Sequence, residues 1–293
     1  MGMTGSPTPF KRLISCFLNL TVNPKFRQYL LLRPTTIWIT FPFSWTKGVL
    51  KVEYVIVIPA RLESTRLPRK PLANICGISM LEHTHAQALE AAPAEKVFIT
   101  TNSSEILDEC KKFGAQTVMT SSDCLTGTDR IAEFAQKVYA DVYINLQGDE
   151  PLMEPENIKA VIKAGLASPM SIINGWAWIE NEEDFRSRTI PKVVIRQDGR
   201  MMYMSRSPIP GTKNNKFHFA RKQICVYSFP ASALAAFAEI GKKTSHEEVE
   251  DIEILRFSEM GWEVEMIELP SKSVAVDTPE DLERVRGIIA ERT

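Results

Sequence analysis

The first fifty residues contain no aspartate or glutamate, yet they carry Lys11, Arg12, Lys25, Arg27, Arg33 and Lys47. The rest of the chain therefore holds 29 Lys and Arg against all 36 Asp and Glu, a net of −7. An acid-free basic leader admits three readings. It is a targeting segment, a surface-lying anchor lacking a clean amphipathic period, or a stretch outside the native fold, with translation starting near Val49. Its apolar runs, "YLLL" and "TTIWITFPFSW", are interrupted by Arg33 and Pro34, so no stable membrane span is expected. Cysteines are few and scattered: Cys16, Cys76, Cys110, Cys124 and Cys225. No pair has metal-ligand spacing, which argues for reduced thiols and a cytoplasmic location. A formal net charge of −1 leaves no basic excess for a nucleic-acid partner. Repeats and low-complexity stretches are also missing.

What is present is ordinary for a soluble enzyme: 293 residues, 44% hydrophobic and 24% charged, enough for one large domain with its own core. From residue 51 strand and helix alternate. "VEYVIVIPA" reads as a buried strand, "SMLEHTHAQALEAA" as a helix and "KVFITT" as a strand. "SSEILDECKKFG" follows with Ser103 or Ser104 as cap and Gly114 as stop. "AQTVMT" is a third strand, "TDRIAEFAQKVYA" a helix opened by Thr128, and "DVYINLQ" a fourth strand. This order predicts an α/β fold, a mostly parallel Rossmann-like sheet with helices on both faces. Asp198-Gly199 between strand-like runs predicts a hairpin, inserted at about 185–235 and expected to serve dimerisation or as a substrate lid. "TSHEEVEDIEILRFSEMG" is expected as one helix, "SVAV" as a strand, and "TPEDLERVRGIIAER" as a helix capped by Thr278. The domain is placed at 51–293 and the extension at 1–50.

The chemistry-bearing residues gather where ligands bind in such sheets, beyond the carboxyl ends of the strands. The first strand runs into "RLESTRLPRKP", with Arg61, Arg66, Arg69 and Lys70 in one proline-punctuated loop, a pattern suited to holding phosphate. A solvated charged loop is the competing reading. The fourth strand ends in "NLQGDEP", placing Asp149 at the sheet edge, and "VAVDTPEDL" places Asp277 at another strand end. Two such acids facing a basic loop suit Mg2+ carrying a triphosphate, because Mg2+ takes a few carboxylates plus phosphate oxygens. Read singly, Asp149 is a turn residue and Asp277 a cap-region acid. Gly127 permits close approach of a ligand to the backbone, and Thr128 and Arg130 begin a helix whose N–H groups can read a polar edge. A plain helix cap is the alternative there. Glu247, Glu250, Glu253 and Arg256 recur every third residue on one helix face, ordinarily a solvated one.

Together, "IPARLESTRLPRKPL", "TGTDR", "NLQGDEPL", "MSRSPIP", the Glu-rich helix ending at Arg256 and "VDTPEDLERV" resemble the 3-deoxy-manno-octulosonate (Kdo) cytidylyltransferases, in that order and over all of 51–293. The resemblance implies transfer of CMP from CTP to a 3-deoxy-2-ulosonic acid with release of pyrophosphate, in lipopolysaccharide or surface-polysaccharide biosynthesis. It implies that Arg61, Arg66 and Lys70 neutralise the triphosphate and that Asp149 and Asp277 hold Mg2+. Ala60, Ser64, Gly127, Thr128, Arg130 and Gln147 fall where that family handles the nucleotide. Arg206, Gln223, Tyr227 and Glu253 fall where it handles the sugar acid. The partners implied are CTP, the ulosonic acid and a second copy in a homodimer.

Departures from the family pattern cluster on the sugar side. Gln223 stands where the family usually has histidine, and Ile254 follows Glu253 where it usually has glutamine. "GIS" replaces "GKP" after the first loop, and Asn102 replaces an aspartate. The expectation is that Kdo is accepted and that a relative altered at its tail hydroxyls or amine is preferred. Two other readings compete: a nucleotide-sugar-dependent glycosyltransferase, whose usual paired-Asp motif is missing, and a catalytically silent nucleotide-binding paralogue.

Overall fold

The structure, a computed structural model, describes residues 52–64, 66–270 and 273–291. The basic extension at 1–50, with the readings attached to it, lies outside the described residues. Eleven strands and nine helices, the short α5 (Glu182–Arg186) among them, follow Val52 among the described residues. The central path of the main sheet runs β11-β7-β10-β6-β1-β4-β5, built from β1 (Tyr54–Ala60), β4 (Val97–Thr101), β5 (Gln116–Met119), β6 (Val142–Leu146), β7 (Ile172–Ile179), β10 (Ala220–Pro230) and β11 (Val264–Glu268). β1 pairs parallel with β4 and β6, β4 with β5, and β11 with β7, whereas β10 runs antiparallel between β6 and β7. The sheet is thus mostly parallel. β1 is a near-continuous apolar run because both of its faces are covered.

Even-numbered side chains of β1 (Ile56, Ile58) pack with α1 (Met80–Ala91), α2 (Ser104–Lys112) and α4 (Pro155–Ala167). Odd-numbered ones (Val55, Val57) pack with α3 (Gly127–Ala135), α6 (Ala231–Ile240) and α8 (Ile254–Glu259). Burying each of these large side chains stabilises the fold by roughly 1.5–3 kcal/mol. A third, smaller core joins α9 (Pro279–Ala290) to the short hairpin of β2 (Asn74–Ile75) and β3 (Ile78–Ser79) through Ile75, Met80, Val276, Leu282 and Val285. Arg286 fastens the same contact, donating to Asn74 O at 2.9 and 2.6 Å. β8 (Lys192–Ile195) and β9 (Met201–Ser205) pair antiparallel across a turn in which Gly199 takes φ 84°, and β8 also pairs with β10.

Several local expectations need correction. Thr126, not Thr128, caps α3, in a reciprocal capping box with Asp129; Thr128 sits within the first turn, free to bond elsewhere. The Glu-rich stretch is two helices, α7 (Ser245–Glu250) and α8, because Asp251 adopts a left-handed φ of 51° and breaks the ladder. Its charged face is not solvated: Arg256 is fully buried, paired with Glu247 at 2.6 Å and Asp129 at 2.7 Å and stacked 3.7 Å over Phe237. Residues 273–277 form an extended segment, not a strand; the backbone tie is Val276 N donating to Asp149 O at 2.9 Å.

Candidate active site

The loop after β1 turns back at Arg69, whose φ of 57° starts a short 3-10 turn at Lys70–Leu72. That turn aims Lys70 across the carboxyl edge of the sheet. Its ammonium donates to Asp149 at 2.6 Å and to Asp277 at 3.0 Å, and Arg66 donates to Asp277 at 3.1 Å. Asp149 is delivered by β6 through the tight Gln147–Gly148 turn. A Cβ on Gly148 would lie 3.0 Å from Pro59 O, backbone that cannot yield, so only glycine lets β6 end this close to β1. Asp277 is delivered by the Val276–Asp149 backbone bond and the docking of α9. Thr278 and Asp281 cap that helix, which leaves the Asp277 carboxylate free for the site. Burial works against the Lys70 charge, but Asp149 and then Asp277 outweigh it and hold its pKa above the usual lysine value.

Two cations and two carboxylates therefore interlock at one point. The acids that were expected to hold a metal are brought together, and they share Lys70. This donor set fits Mg2+: two carboxylates, Asp149 after β6 and Asp277 before α9, with cationic neighbours to take phosphate, match the few protein ligands Mg2+ uses. Among the described residues no cluster of three or more His, Cys, Asp or Glu forms a closed metal cage. Arg61 lies on the outer rim, its guanidinium 3.5 Å from Leu125 O. Arg69 points away and pairs with Glu105. Ser64 serves the loop itself, accepting from Leu67 N at 3.3 Å, and Ala60 is buried at the end of β1.

Beside this cluster, α3 begins against the sheet. A Cβ on Gly127 would meet Pro59 Cγ at 3.3 Å and the Gln147 side chain at 3.5 Å, so this glycine seats the helix start on β1 and β6. Its N–H and that of Thr128 donate to Glu253 at 3.1 and 2.7 Å, and the Thr128 hydroxyl donates at 2.5 Å. Glu253, expected among the sugar contacts, is thus bound to Gly127 and Thr128, both expected among the nucleotide contacts. Burial raises its pKa, and the bonds from Thr128 and Gly127 oppose that. Arg130 is held beyond the carboxyl end of β5, within electrostatic reach of Arg61. It is buried and donates to Thr120 Oγ1 at 2.6 Å and Ser121 O at 3.2 Å.

On β10 the ladder to β7 slips between Ile224 and Tyr227, a bulge of the kind that re-aims side chains. Asn174 fills it, donating to Ile224 O and Val226 O at 2.9 and 3.1 Å. Gln223 then donates to Asn174 Oδ1 at 3.2 Å and to the Tyr227 hydroxyl at 2.9 Å. Both donors of Gln223 are committed, and Oε1 is the face it can offer a ligand. Burial, with Cys225 and Glu253 nearby, raises the Tyr227 pKa well above its ordinary value. Arg206 sits apart in a ring of carbonyls, its Nε donating to Glu250 O at 2.7 Å and its NH2 to Asp251 O at 3.0 Å. The groups are connected: Asp251 feels both Arg206 and Arg66, and Gln147 N donates to Cys225 O at 3.3 Å. Sequence reasoning passed over Glu150, which is buried against Ser273 and whose pKa burial and Asp149 lift to about 7. Its place beside Asp149 in "QGDEP" was the available signal. It also passed over Asn174 and Lys192, which no local pattern marks.

Comparison with known proteins gives a consistent picture. The cytidylyltransferase family model matches residues 55–267. The 3-deoxy-manno-octulosonate cytidylyltransferase of Acidobacterium capsulatum is 35% identical over 237 residues, which is 80% of this chain and 96% of that protein. The protein of the same name from Escherichia coli is 33% identical over 81% of this chain and 96% of its own length. A solved structure of CMP:2-keto-3-deoxy-manno-octonic acid synthetase complexed with CTP superposes with a TM-score of 0.75 at 33% identity, covering 82% of this chain and all of that one.

Proposed function

This chain belongs to the 3-deoxy-manno-octulosonate cytidylyltransferase family, and on that premise we propose that it transfers CMP from CTP to Kdo or a close relative, releasing pyrophosphate. The observation that carries the proposal is the convergence of Asp149 and Asp277 with Lys70 and Arg66 at the carboxyl edge of the sheet. A hydroxyl of the sugar acid attacks the α-phosphorus of CTP, the bond to the bridging oxygen breaks, and pyrophosphate departs with the electron pair. Such a transfer depends on positioning and on meeting developing charge. Lys70, Arg66 and Arg61 supply positive charge to the triphosphate and its leaving group. Gly127, Thr128 and Gln147 form the wall between β1, β6 and α3 that suits the nucleoside, and Arg206 suits the carboxylate of the sugar acid.

Asp149 and Asp277 would hold Mg2+, which when bound polarises phosphate oxygens and lowers the pKa of a coordinated hydroxyl. Lys70 must then swing its ammonium from the acids to the phosphates; it is long and flexible enough to do so. The product suits lipopolysaccharide or surface-polysaccharide assembly. We also place a homodimer contact on the β8–β9 hairpin and the adjoining ends of β7 and β10, where Met202, Tyr203, Trp178 and Phe219 are exposed; sedimentation at micromolar concentration tests it. The function is tested by pyrophosphate release from CTP with Mg2+ and a panel of ulosonic acids. Release with Kdo or a near relative is expected, and no release with any of them refutes the proposal.

A further inference from the structure

Lys192 on β8 is fully buried, and among the described residues no carboxylate lies within ion-pair distance of it. A buried cation without a counter-ion is costly. Its three protons go instead to three backbone carbonyls: Ser187 O at 2.6 Å, Ile190 O at 2.7 Å and Arg206 O at 2.7 Å. The first two are the ends of the 187–190 loop. The two carbonyls between them, Arg188 O and Thr189 O, accept from Arg206 NH1 at 3.2 and 3.5 Å. One ammonium therefore fixes both the main chain of Arg206 and the loop that faces its guanidinium.

We infer that Lys192 is the positioning residue for Arg206, holding the guanidinium in the pose that receives the carboxylate of the sugar acid. This rests on the proposed function above. The charged groups around Lys192 are Arg188 on the loop, Arg206 at the end of β9 and Glu250 at the end of α7. Lys222 is its register partner on β10, and Asp251 lies beyond, tied to Lys243 and Arg206. Burial first, then Arg188 and Arg206, push the Lys192 ammonium down to about 8, with Glu250 opposing. A carboxylate bound at Arg206 relieves that like-charge repulsion. The complex then holds the Lys192 proton more tightly than the free protein, so affinity for the sugar acid falls as pH rises through about 8.

The test is initial-rate kinetics with CTP and Kdo across that pH range, in the wild type and in Lys192→Met, which keeps the chain length and removes every donor. At neutral pH the variant should raise KM for Kdo by about tenfold or more, the scale of losing one or two hydrogen bonds to a charged group. KM for CTP and kcat should stay within about threefold. In the wild type KM for Kdo should climb about tenfold from one unit below the Lys192 pKa to one unit above it, and this slope should vanish in the variant. A purely structural role would lower thermal stability without separating the two KM values. Equal changes in both KM values, or none, overturn the inference. If the variant does not fold, the wild-type profile decides, and a flat KM for Kdo overturns it. A wild type that releases no pyrophosphate with Kdo refutes the proposed function instead.

Discussion

The end of the site proposed for phosphate and the end proposed for the sugar acid are built on opposite plans. At the phosphate end, Lys70 and Arg66 meet Asp149 and Asp277 in partly open ion pairs that a ligand can exchange. At the sugar end, Gln223, Tyr227, Asn174 and Arg206 are already committed to one another or to backbone carbonyls. One end is held by partly exposed ion pairs. The other is preorganised, so its selectivity resides in the few polar faces left over, such as Gln223 Oε1. Under the proposed function, exchangeable cations serve the phosphates, whereas the sugar acid meets a frame of fixed groups, Arg206 among them.

The contrast breaks first at the acids. Asp149→Asn and Asp277→Asn should each lower kcat by at least about 100-fold, the scale of one well-placed electrostatic contact. Chelating Mg2+ should abolish pyrophosphate release and its restoration should recover it; turnover that survives either treatment removes the acids from the reaction. A smaller effect tests where Glu253 belongs. Glu253→Gln weakens charge-assisted bonds from Gly127 and Thr128, worth about 1.5–3 kcal/mol, or roughly ten- to a hundredfold. Because those partners lie on the nucleotide side, the rise should fall mainly on KM for CTP; a rise confined to the sugar acid would return Glu253 to the sugar end. Smaller still, Gln223→His should shift the ratio of kcat/KM between Kdo and tail-altered relatives by about two- to tenfold, one neutral hydrogen bond's share. Competition kinetics reads that ratio directly. Least of all, Arg69→Ala should leave kcat/KM within about twofold, since its partner Glu105 is a surface ion pair worth at most about 1 kcal/mol. A large loss there would make all of the loop's cations part of the site.

The phosphate end was legible in the sequence because each part is local. A β-branched strand followed by a basic loop, and an acid after Gly148, are patterns of adjacent residues. The mostly parallel sheet was legible for the same reason, from the alternation of strands and helices. What stayed hidden depends on contacts between distant segments. Glu253 looked like one tooth of a charged helix until Asp251 broke that helix and turned the carboxylate onto Thr128. Arg256 looked solvated because nothing nearby announces that Asp129 and Glu247 bury it. Lys192 sits in an ordinary strand, and its three carbonyl partners become visible only once the 187–190 loop is folded around Arg206.

The bond from Val276 N to Asp149 O has a consequence for how the protein is made. Lys70 and Asp277 stand 207 positions apart, and the second acid arrives only when the segment before α9 lies down beside the end of β6. During synthesis the N-terminal part of the chain emerges first, while a domain folds as a unit. The basic loop and the first strands therefore emerge early, with a full complement of cations and one carboxylate. A chain ending upstream of Asp277 would carry the basic loop and Asp149 but lack the second carboxylate that Lys70 and Arg66 meet.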